Sequence, residues 1–498
     1  MGETETECYD PYAFPCQITE EEEKAFCAGV YYEAYKKMGA HPMVMNGVAG
    51  THFAVWAPNA VRVSVVGEFN NWDGRALPMH KMPMSGIYEL FIPGVKAGDA
   101  YRYEIKAKGD VLLQKADPYG NRTQPAPLWN SVVADVSDFT WNDSSWMAER
   151  KKYDDRRQPV SIYETSLGQW KSGKELVAFA KEKGYTHVEL HPVMEFLEDG
   201  SDGYPTSAYF AVSTRYGTPV EFAALVDELH QVGIGVILDW LPAQFPRYAG
   251  GLEKFDGTPL YEVKDLEMAV HPMWGTMLYN YDSPMVMDFL ISNACFWLEV
   301  FHVDGLRMDD VDAMLYLDYG RENGQWTPNI YGGNKNLEAI EFFKHLNSVV
   351  LGRNHGAMMI AEESTAWPKV TGKPEEDGLG FSHKWNMGWM NDFLEYMKLD
   401  PYFRKWNHNK MTFSMTYAYA EKYILVLSHD EVVHLKCSMI NKMPGLYDDK
   451  FANLRAGYAY MLGHPGKKLL FMGQEFAQLQ EWSEARELDW YLLAEDKH

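Results

Sequence analysis

Cysteine is scarce, and the 498 residues contain only five: Cys8, Cys16, Cys27, Cys295 and Cys437. Their number is odd, they are scattered and none forms a Cys-x-x-Cys pair, so we expect neither a disulfide framework nor a structural zinc site. His-x-His and His-Glu-x-x-His patterns are also missing, which argues against a catalytic metal. Because there is no Gly-x-Gly-x-x-Gly or Walker-type loop, no nucleotide cofactor is predicted.

Long apolar runs and a surplus of positive charge are missing too. No apolar stretch approaches membrane-spanning length, and the acidic start of the chain has neither the basic segment nor the apolar core of a secretory signal. Lys and Arg number 46 against 70 Asp and Glu, a formal charge of −24, which disfavours nucleic acid and anionic membranes as partners. A neutral polysaccharide fits better, and a cytoplasmic protein is the default expectation.

The chain is longer than one core usually supports, and four segments are predicted. Residues 1–45 read as a lead-in with one helix over 19–37, which opens on a capping-box pattern. Residues 46–137 carry short alternating strands separated by turns, which predicts a small antiparallel β-sandwich. Residues 138–158 are a connector. From 159 to 498, strands and helices alternate, which favours a parallel sheet.

Aromatic residues are abundant at 14 % of the chain, and they have two interpretations. Stacking on sugar rings needs flat aromatic side chains, but large hydrophobic cores use the same residues. In the predicted sandwich, Trp56 and Trp72 are open to both interpretations, and the core is the commoner role. The sequence alone does not choose between them.

Eight strand candidates follow residue 159, with helical segments between most of them, and this α/β pattern predicts a TIM (β/α)8 barrel. The candidates are SIYETSLG (161–168), THVELHPV (186–193), GVILDWLP (235–242), HVDGLRMDD (302–310), AMMIAEES (357–364), FSHKWN (381–386), YILVLSHDE (423–431) and KLLFMGQEF (468–476).

The stretch Phe301–Leu315 combines an apolar strand with a polar end, as expected where a barrel strand reaches its carboxyl-terminal mouth. Strand alternation puts Arg307 and Asp309 on one side and turns Asp310 away. A guanidinium beside a carboxylate keeps it ionised and oriented, as a nucleophile requires. A structural ion pair at a strand end is the alternative interpretation.

Other predicted strands also end in polar residues, and the carboxyl ends of all eight meet at the barrel mouth. Three converging carboxylates suggest glycosyl transfer, with a nucleophile, an acid/base and a group that braces the sugar. A two-carboxylate metal site is the competing interpretation, without a ligand pattern to support it. Periodicity leaves two choices open, between Glu362 and Glu363 and between Asp430 and Glu431.

Runs of sequence across nearly the whole chain resemble the α-amylase-type glycoside hydrolase superfamily and, within it, the 1,4-α-glucan branching enzymes. The runs at the barrel strand ends are DWLPAQF (239–245), GLRMDDV (305–311), AEEST (361–365) and LSHDEVVH (427–434). FAVWAPNAVRVSVVGEFNNWDG (53–74) and KADPYG (115–120) resemble the starch-binding sandwich of that family. The resemblance implies an α-glucan such as glycogen or amylose as partner.

Roles for individual residues follow from the resemblance. It implies Asp309 as nucleophile, Glu362 as general acid/base and Asp430 as the third carboxylate. It further implies substrate-binding or orienting roles for five residues: Arg307, His429, Asp239, Tyr204 and Gln244. Neither metal nor organic cofactor is implied. The oligomeric state stays open, and a monomer is compatible with the sequence.

Four residues depart from the family pattern. Gln244 stands where the family usually has a histidine, Pro205 replaces a glutamine, Ser166 replaces a histidine and Asp310 replaces a small residue. A carboxylate at Asp310, if it is not turned away, would raise the pKa of a neighbouring acid.

The sequence therefore predicts a retaining α-glucan branching transferase, with two alternatives. One is an α-glucan hydrolase of the same superfamily, and the other is a non-catalytic α-glucan-binding paralogue, which Gln244, Pro205 and Ser166 motivate. The family usually continues past LDWYLL (488–493) with a last helix and an all-β domain. Because the chain stops at His498, we expect that C-terminal domain to be absent through truncation.

Overall fold

The computed structural model describes residues 9–154 and 157–498, in which an antiparallel two-sheet module precedes a closed eight-stranded barrel. Cys8 and the start of the predicted lead-in lie outside the described residues, as do Asp155 and Arg156 of the predicted connector. Within the two described ranges, no helix has the length and apolar character needed to cross a membrane.

The predicted amino-terminal helix is present but shorter than expected, running over Glu20–Cys27. The capping box forms as predicted, because the Thr19 hydroxyl accepts the Glu22 N–H at 3.2 Å and the Glu22 carboxylate accepts the Thr19 N–H at 2.8 Å. Gly29 ends the helix in a left-handed conformation with φ +70°. A side chain there would meet the carbonyl oxygen of Pro284 at 2.7 Å, so the close approach also requires glycine.

The predicted antiparallel sandwich is confirmed, but it begins earlier than residue 46. Gly39–Met45 pairs along its whole length with Val48–Trp56, so it belongs to the sandwich and not to the lead-in. The eight strands of the sandwich are Gly39–Met45, Val48–Trp56, Arg62–Gly67, His80–Lys81, Ile87–Pro93, Ala100–Lys106, Leu112–Lys115 and Ser131–Val132.

The predicted (β/α)8 barrel is also confirmed. All eight predicted strands form, each pairs in parallel with its neighbours in chain order, and the eighth pairs with the first. Barrel strands 1 to 8 are Ser161–Thr165, His187–Leu190, Gly235–Trp240, Gly305–Met308, Met358–Ala361, His383–Trp385, Tyr423–Leu427 and Lys467–Phe471. Two short hairpins lie outside the barrel: Met194–Phe196 with Thr206–Val212, and Gln244–Phe245 with Met277–Leu278.

Helices occupy most of the connections between barrel strands. They have apolar faces that pack into one continuous core with the barrel. After the amino-terminal helix, the α-helices are Ser144–Arg150, Gly173–Lys183, Pro219–Gln231, Pro284–Glu299, Val311–Leu315, Leu337–Arg353, Met387–Lys398, Pro401–Arg404, Asn409–Thr412 and Tyr447–Gly463.

Aromatic contacts join the sandwich to the barrel region, and they decide whether Trp56 is a core residue or a sugar-stacking residue. Trp56 is 3 % exposed, and its ring packs edge-on against Phe26 and Tyr261 at centroid distances of 5.8 and 5.7 Å. Its indole N–H donates to the Ser85 carbonyl at 3.1 Å. Trp56 is therefore a core residue. Trp72 is half-buried, so a sugar-stacking role for it stays a prediction.

A buried polar cluster closes the amino-terminal end of the barrel, opposite its mouth. Asp304, directly before barrel strand 4, accepts from His230 Nε2 at 2.9 Å and from Arg150 Nη1 at 3.2 Å. The other ring nitrogen of His230 lies 2.8 Å from Asp143. Arg150 and Asp143 belong to the predicted connector, so buried ion pairs hold this segment against the barrel.

Candidate active site

Arg307 and two carboxylates form a buried group at the mouth of the barrel. Asp239 and Arg307 are direct partners in the pairing of barrel strands 3 and 4. Arg307 Nη1 lies 2.7 Å from Asp309 Oδ1 and 3.5 Å from Asp239 Oδ2. The guanidinium also stacks 4.0 Å over the Trp385 ring, which fixes its plane. One cation thus neutralises and orients two acids.

Tyr204 completes this group from the loop between the strands of the first hairpin. Its hydroxyl donates a short hydrogen bond to Asp239 and accepts from Arg307 Nη1 at 3.2 Å. Its ring lies nearly parallel to that of His429, with 6.3 Å between centroids and 18° between planes. The replacement at Pro205 therefore leaves Tyr204 in contact with the carboxylate group.

Glu362 and Glu363 follow barrel strand 5 and have different environments. Glu363 is buried and already fully engaged, since it lies 2.5 Å from Lys384 Nζ and accepts the Thr365 N–H at 2.8 Å. Glu362 instead faces the mouth, where its carboxylate accepts the Asp310 N–H at 3.1 Å. Of the two, only Glu362 has a carboxylate free to approach a ligand. Packing therefore favours Glu362 over Glu363 as the acid of the site, a choice that strand periodicity left open.

Asp430 and Glu431 differ in the same way. Glu431 is buried and lies 3.2 Å from Lys436 Nζ. The side chain of Asp430 is 41 % exposed, and one of its oxygens lies 3.4 Å from His429 Nε2. Asp430 is therefore the member of this pair that is open to the mouth.

The acids at the mouth perturb each other strongly. Burial raises the pKa of Asp309 to about 7, against the effect of Arg307, and Asp310 and Asp430 add to the increase. Burial and the negative charge of Asp309 raise the pKa of Glu362 well above its usual range. Because Arg307 touches Asp309 at 2.7 Å, the first proton to leave comes from Asp309. One acid is then ionised while its neighbour stays protonated, as acid/base pairs in enzymes require.

The prediction that Asp310 turns away from the site is wrong, because barrel strand 4 ends at Met308 and strand alternation ends with it. Asp310 adopts a left-handed conformation with φ +62°. Its carboxylate accepts from Gln244 Nε2 at 3.1 Å and lies 3.6 Å from His271 Nε2. Two of the departures from the family pattern, Gln244 and Asp310, are thus direct contacts of each other.

A buried group that the sequence analysis did not identify lies behind His429. Glu164, in barrel strand 1, lies 2.5 Å from His429 Nδ1, accepts the His429 N–H at 3.1 Å and lies 3.3 Å from His191 Nε2. Burial alone would lower the pKa of His429, but Asp430 and Glu164 raise it to about 10. A glutamate inside a predicted barrel strand is a signal that could have revealed this group, because a buried charge needs a partner.

Of the eight predicted site residues, six are connected by contacts with one another, and Glu362 and Gln244 join them through Asp310. Ser166, the remaining departure, lies at the end of barrel strand 1 and interacts with the Tyr216 hydroxyl. A cavity of about 360 Å³ adjoins the His271 side of the mouth. Tyr319 lines this cavity. Burial raises the pKa of Tyr319, and the nearby acids raise it further, so the cavity lies close to the carboxylates of the mouth.

Comparison with known families identifies the sandwich. Residues 37–120 match the family model described as carbohydrate-binding module 48 (isoamylase N-terminal domain). The match starts close to the first strand, Gly39–Met45, in agreement with the strand pairing.

Over nearly its whole length, the chain is similar to proteins named 1,4-alpha-glucan branching enzyme GlgB. It is 54 % identical to the one from Butyrivibrio fibrisolvens over 494 residues, which cover 96 % of this chain and 77 % of that protein. It is 50 % identical to the one from Cellvibrio japonicus over 504 residues, which cover 98 % of this chain and 68 % of that protein.

A solved structure supports the same architecture. The pullulanase from Anoxybacillus sp. LM18-11, in complex with maltotriose, matches with a TM-score of 0.68 at 16 % identity and covers 96 % of this chain and 72 % of that chain. At this identity the likeness concerns the fold alone.

Proposed function

Because the chain belongs to the 1,4-alpha-glucan branching enzyme family, we propose that its barrel mouth performs a retaining double displacement with Asp309 as nucleophile and Glu362 as general acid and base. The protein is a 1,4-α-glucan branching enzyme: it cleaves an α-1,4-linked chain and transfers it to a 6-hydroxyl as an α-1,6 branch. The observation that carries the residue roles is the 2.7 Å contact between Arg307 and Asp309, next to Glu362, whose pKa is raised well above its usual range by burial and by Asp309.

In the first step, Asp309 attacks the anomeric carbon of the glucosyl unit at the cleavage point. Glu362 gives its proton to the leaving glycosidic oxygen, so the released chain departs as an alcohol. Arg307 holds the attacking carboxylate at a fixed angle through its own contacts with Asp239 and Trp385. The product of this step is a glycosyl ester on Asp309.

In the second step, Glu362 is ionised and acts as a base. It removes the proton from the 6-hydroxyl of an acceptor glucan, whose oxygen then attacks the anomeric carbon and releases Asp309. Two inversions restore the α configuration. Water in the place of this hydroxyl would give hydrolysis, so the acceptor decides between branching and chain cleavage.

Asp430, His429 and Tyr204 bind the glucosyl unit in this proposal. His429 is held as an imidazolium by Glu164 and Asp430, and its cationic ring faces the hydroxyl groups of the sugar. Tyr204 offers an aromatic face parallel to His429, which suits stacking against a sugar ring. Gln244 takes part indirectly, because its amide donates a hydrogen bond to Asp310 next to the nucleophile.

Incubation of the protein with amylose tests this function. We expect new α-1,6 signals in the proton NMR spectrum with little increase in reducing ends, and a loss of at least about 10³-fold in Asp309→Ala. Asp318→Asn is the matched control, since this carboxylate only accepts from the Asn334 amide at 3.0 Å. A rise in reducing ends without α-1,6 signals would indicate a hydrolase. Amylose binding without turnover would indicate a non-catalytic paralogue.

A further inference from the structure

Three ligand atoms of the kind that bind divalent cations converge behind His429. A Glu164 carboxylate oxygen, His191 Nε2 and His429 Nδ1 all lie within 4.8 Å of one another, and all three residues are buried. The distance from Glu164 Oε1 to His191 Nε2 is 3.3 Å. Tetrahedral zinc, with bonds of about 2.0–2.1 Å, separates its ligand atoms by about 3.3 Å. One edge of such a site is therefore already at its bonded length.

A second carboxylate next to this cluster has no partner. Glu189 is fully buried, and neither of its oxygens has a hydrogen-bond partner among the described residues. It pairs in register with Glu164 across barrel strands 1 and 2, and His191 follows it by two residues on the same face. A buried carboxylate without a hydrogen bond is unfavourable unless a proton or a cation neutralises it. Glu189 therefore supplies a buried, unpartnered carboxyl group on the strand next to Glu164.

From these two observations we propose that Glu164, His191 and His429 form a binding site for one divalent cation of the zinc class, with Glu189 as an adjacent charge-balancing carboxylate. Two imidazole nitrogens and carboxylate oxygens are a donor set that suits Zn²⁺ and disfavours Mg²⁺ or Ca²⁺, which take oxygen ligands. The proposed cation site shares His429 with the glucan-binding residues, whereas Asp309 and Glu362 are not among its ligands.

Binding of the ion requires a small movement. His429 Nδ1 lies 2.5 Å from Glu164, a separation shorter than the ligand edges of zinc, so the two side chains move apart as the ion enters. Because His429 moves and its other ring nitrogen lies 3.4 Å from Asp430, the bound ion inhibits glucan transfer. The 41 % exposed Asp430 marks the path of entry from the mouth.

Calorimetric titration of the chelator-treated full chain with ZnCl₂ tests the proposal without any activity measurement. We expect one strong site in the wild type. In His191→Leu we expect affinity at least about tenfold lower. His355→Leu is the matched control, because His355 is exposed and far removed in sequence from the cluster, and it should retain the wild-type affinity.

Folding and inhibition provide separate readouts. His191 packs flat against Phe471, with 5.5 Å between ring centroids, so His191→Leu should keep its thermal unfolding midpoint; His191→Gln, which is polar but lacks the imidazole ligand, serves as the second variant. Zn²⁺ should lower branching by the wild type, relative to its own zinc-free rate, and a chelator should restore it. Equal affinity or equal inhibition in wild type and both His191 variants, or no strong site in the wild type, would overturn the proposal.

Discussion

At the scale of single residues, the site depends on which groups surround each acid. Asp309 and Asp310 are neighbours in sequence with different partners: Asp309 contacts Arg307, and Asp310 contacts Gln244. They differ because barrel strand 4 ends at Met308 and Asp310 adopts a left-handed conformation. Strand periodicity could not predict this turn. The glutamine and the aspartate form one polar contact on the rim of the site, so their effects on activity should be coupled.

Replacing Asp310 tests the electrostatic part of this description. Asp310 contributes to the increase in the pKa of Asp309, so Asp310→Ala should lower that pKa. Because Asp309, the proposed nucleophile, must be ionised to attack, the acid limb of the pH profile of kcat/KM should move to lower pH, by about one unit. Asp310→Asn removes the charge but keeps an acceptor for Gln244. It should move the limb equally, and an unchanged limb in both variants would refute the electrostatic role.

At the scale of helices and strands, the sequence predicted an element well where its hydrophobic pattern ends in residues typical of a strand or helix end. All eight barrel strands were predicted in order, because most of them are short apolar runs that end in polar groups and alternate with helical segments. Their polar ends lie in loops, so the observed strands are shorter than the predicted ones. The helix over 19–37 was predicted too long, because the sequence does not show that Gly29 touches another helix. Glu164 was missed, because its partners come from distant strands.

Two glycines allow the cause of that early helix end to be tested. Gly29 has φ +70° and no room for a side chain, whereas Gly47, with φ +82°, has nothing within 4 Å of an added Cβ. We expect Gly47→Ala to lose about 1 kcal/mol of stability from backbone strain alone. Gly29→Ala should lose more, by about 1–3 kcal/mol, since Pro284 must also move. Chemical unfolding would measure both, and equal losses would show that the contact with Pro284 is unimportant.

At the scale of the whole molecule, two ends of the barrel have different functions. The mouth gathers acids whose charges repel and are only partly neutralised by Arg307. The opposite end contains a cluster in which each charge has a partner, and it joins the connector to the barrel. Buried acids thus form the proposed catalytic site at one end of the barrel and stabilising ion pairs at the other.

Stability should depend on pH through His230. Burial would lower its pKa, but Asp304 and Asp143 raise it to about 9. A raised histidine pKa stabilises the folded state below about pH 6.5, and this contribution is lost as pH rises through 9. The depressed pKa values of Asp304 and Asp143 give stability that is lost when pH falls below about 4. The cluster is therefore most stabilising between about pH 4 and 6.5.

Urea unfolding of the wild type and of His230→Gln would measure this contribution. The wild type should lose on the order of 3 kcal/mol between pH 6.5 and 9.5. His230→Gln should be less stable at pH 6 and should show a flatter dependence over the same range. An equal slope in both proteins would assign the pH dependence to other groups.

In the proposed mechanism, Asp309 carries the glycosyl group between donor and acceptor. The most direct measurement is mass spectrometry of Glu362→Gln after reaction with an α-glycosyl fluoride, a donor whose leaving group needs no acid while the second step lacks its base. We expect a mass increase of one glycosyl unit, located on the peptide that contains Asp309 and absent when Asp309 is also replaced by Asn. A label on Asp430 or Glu363 would contradict it.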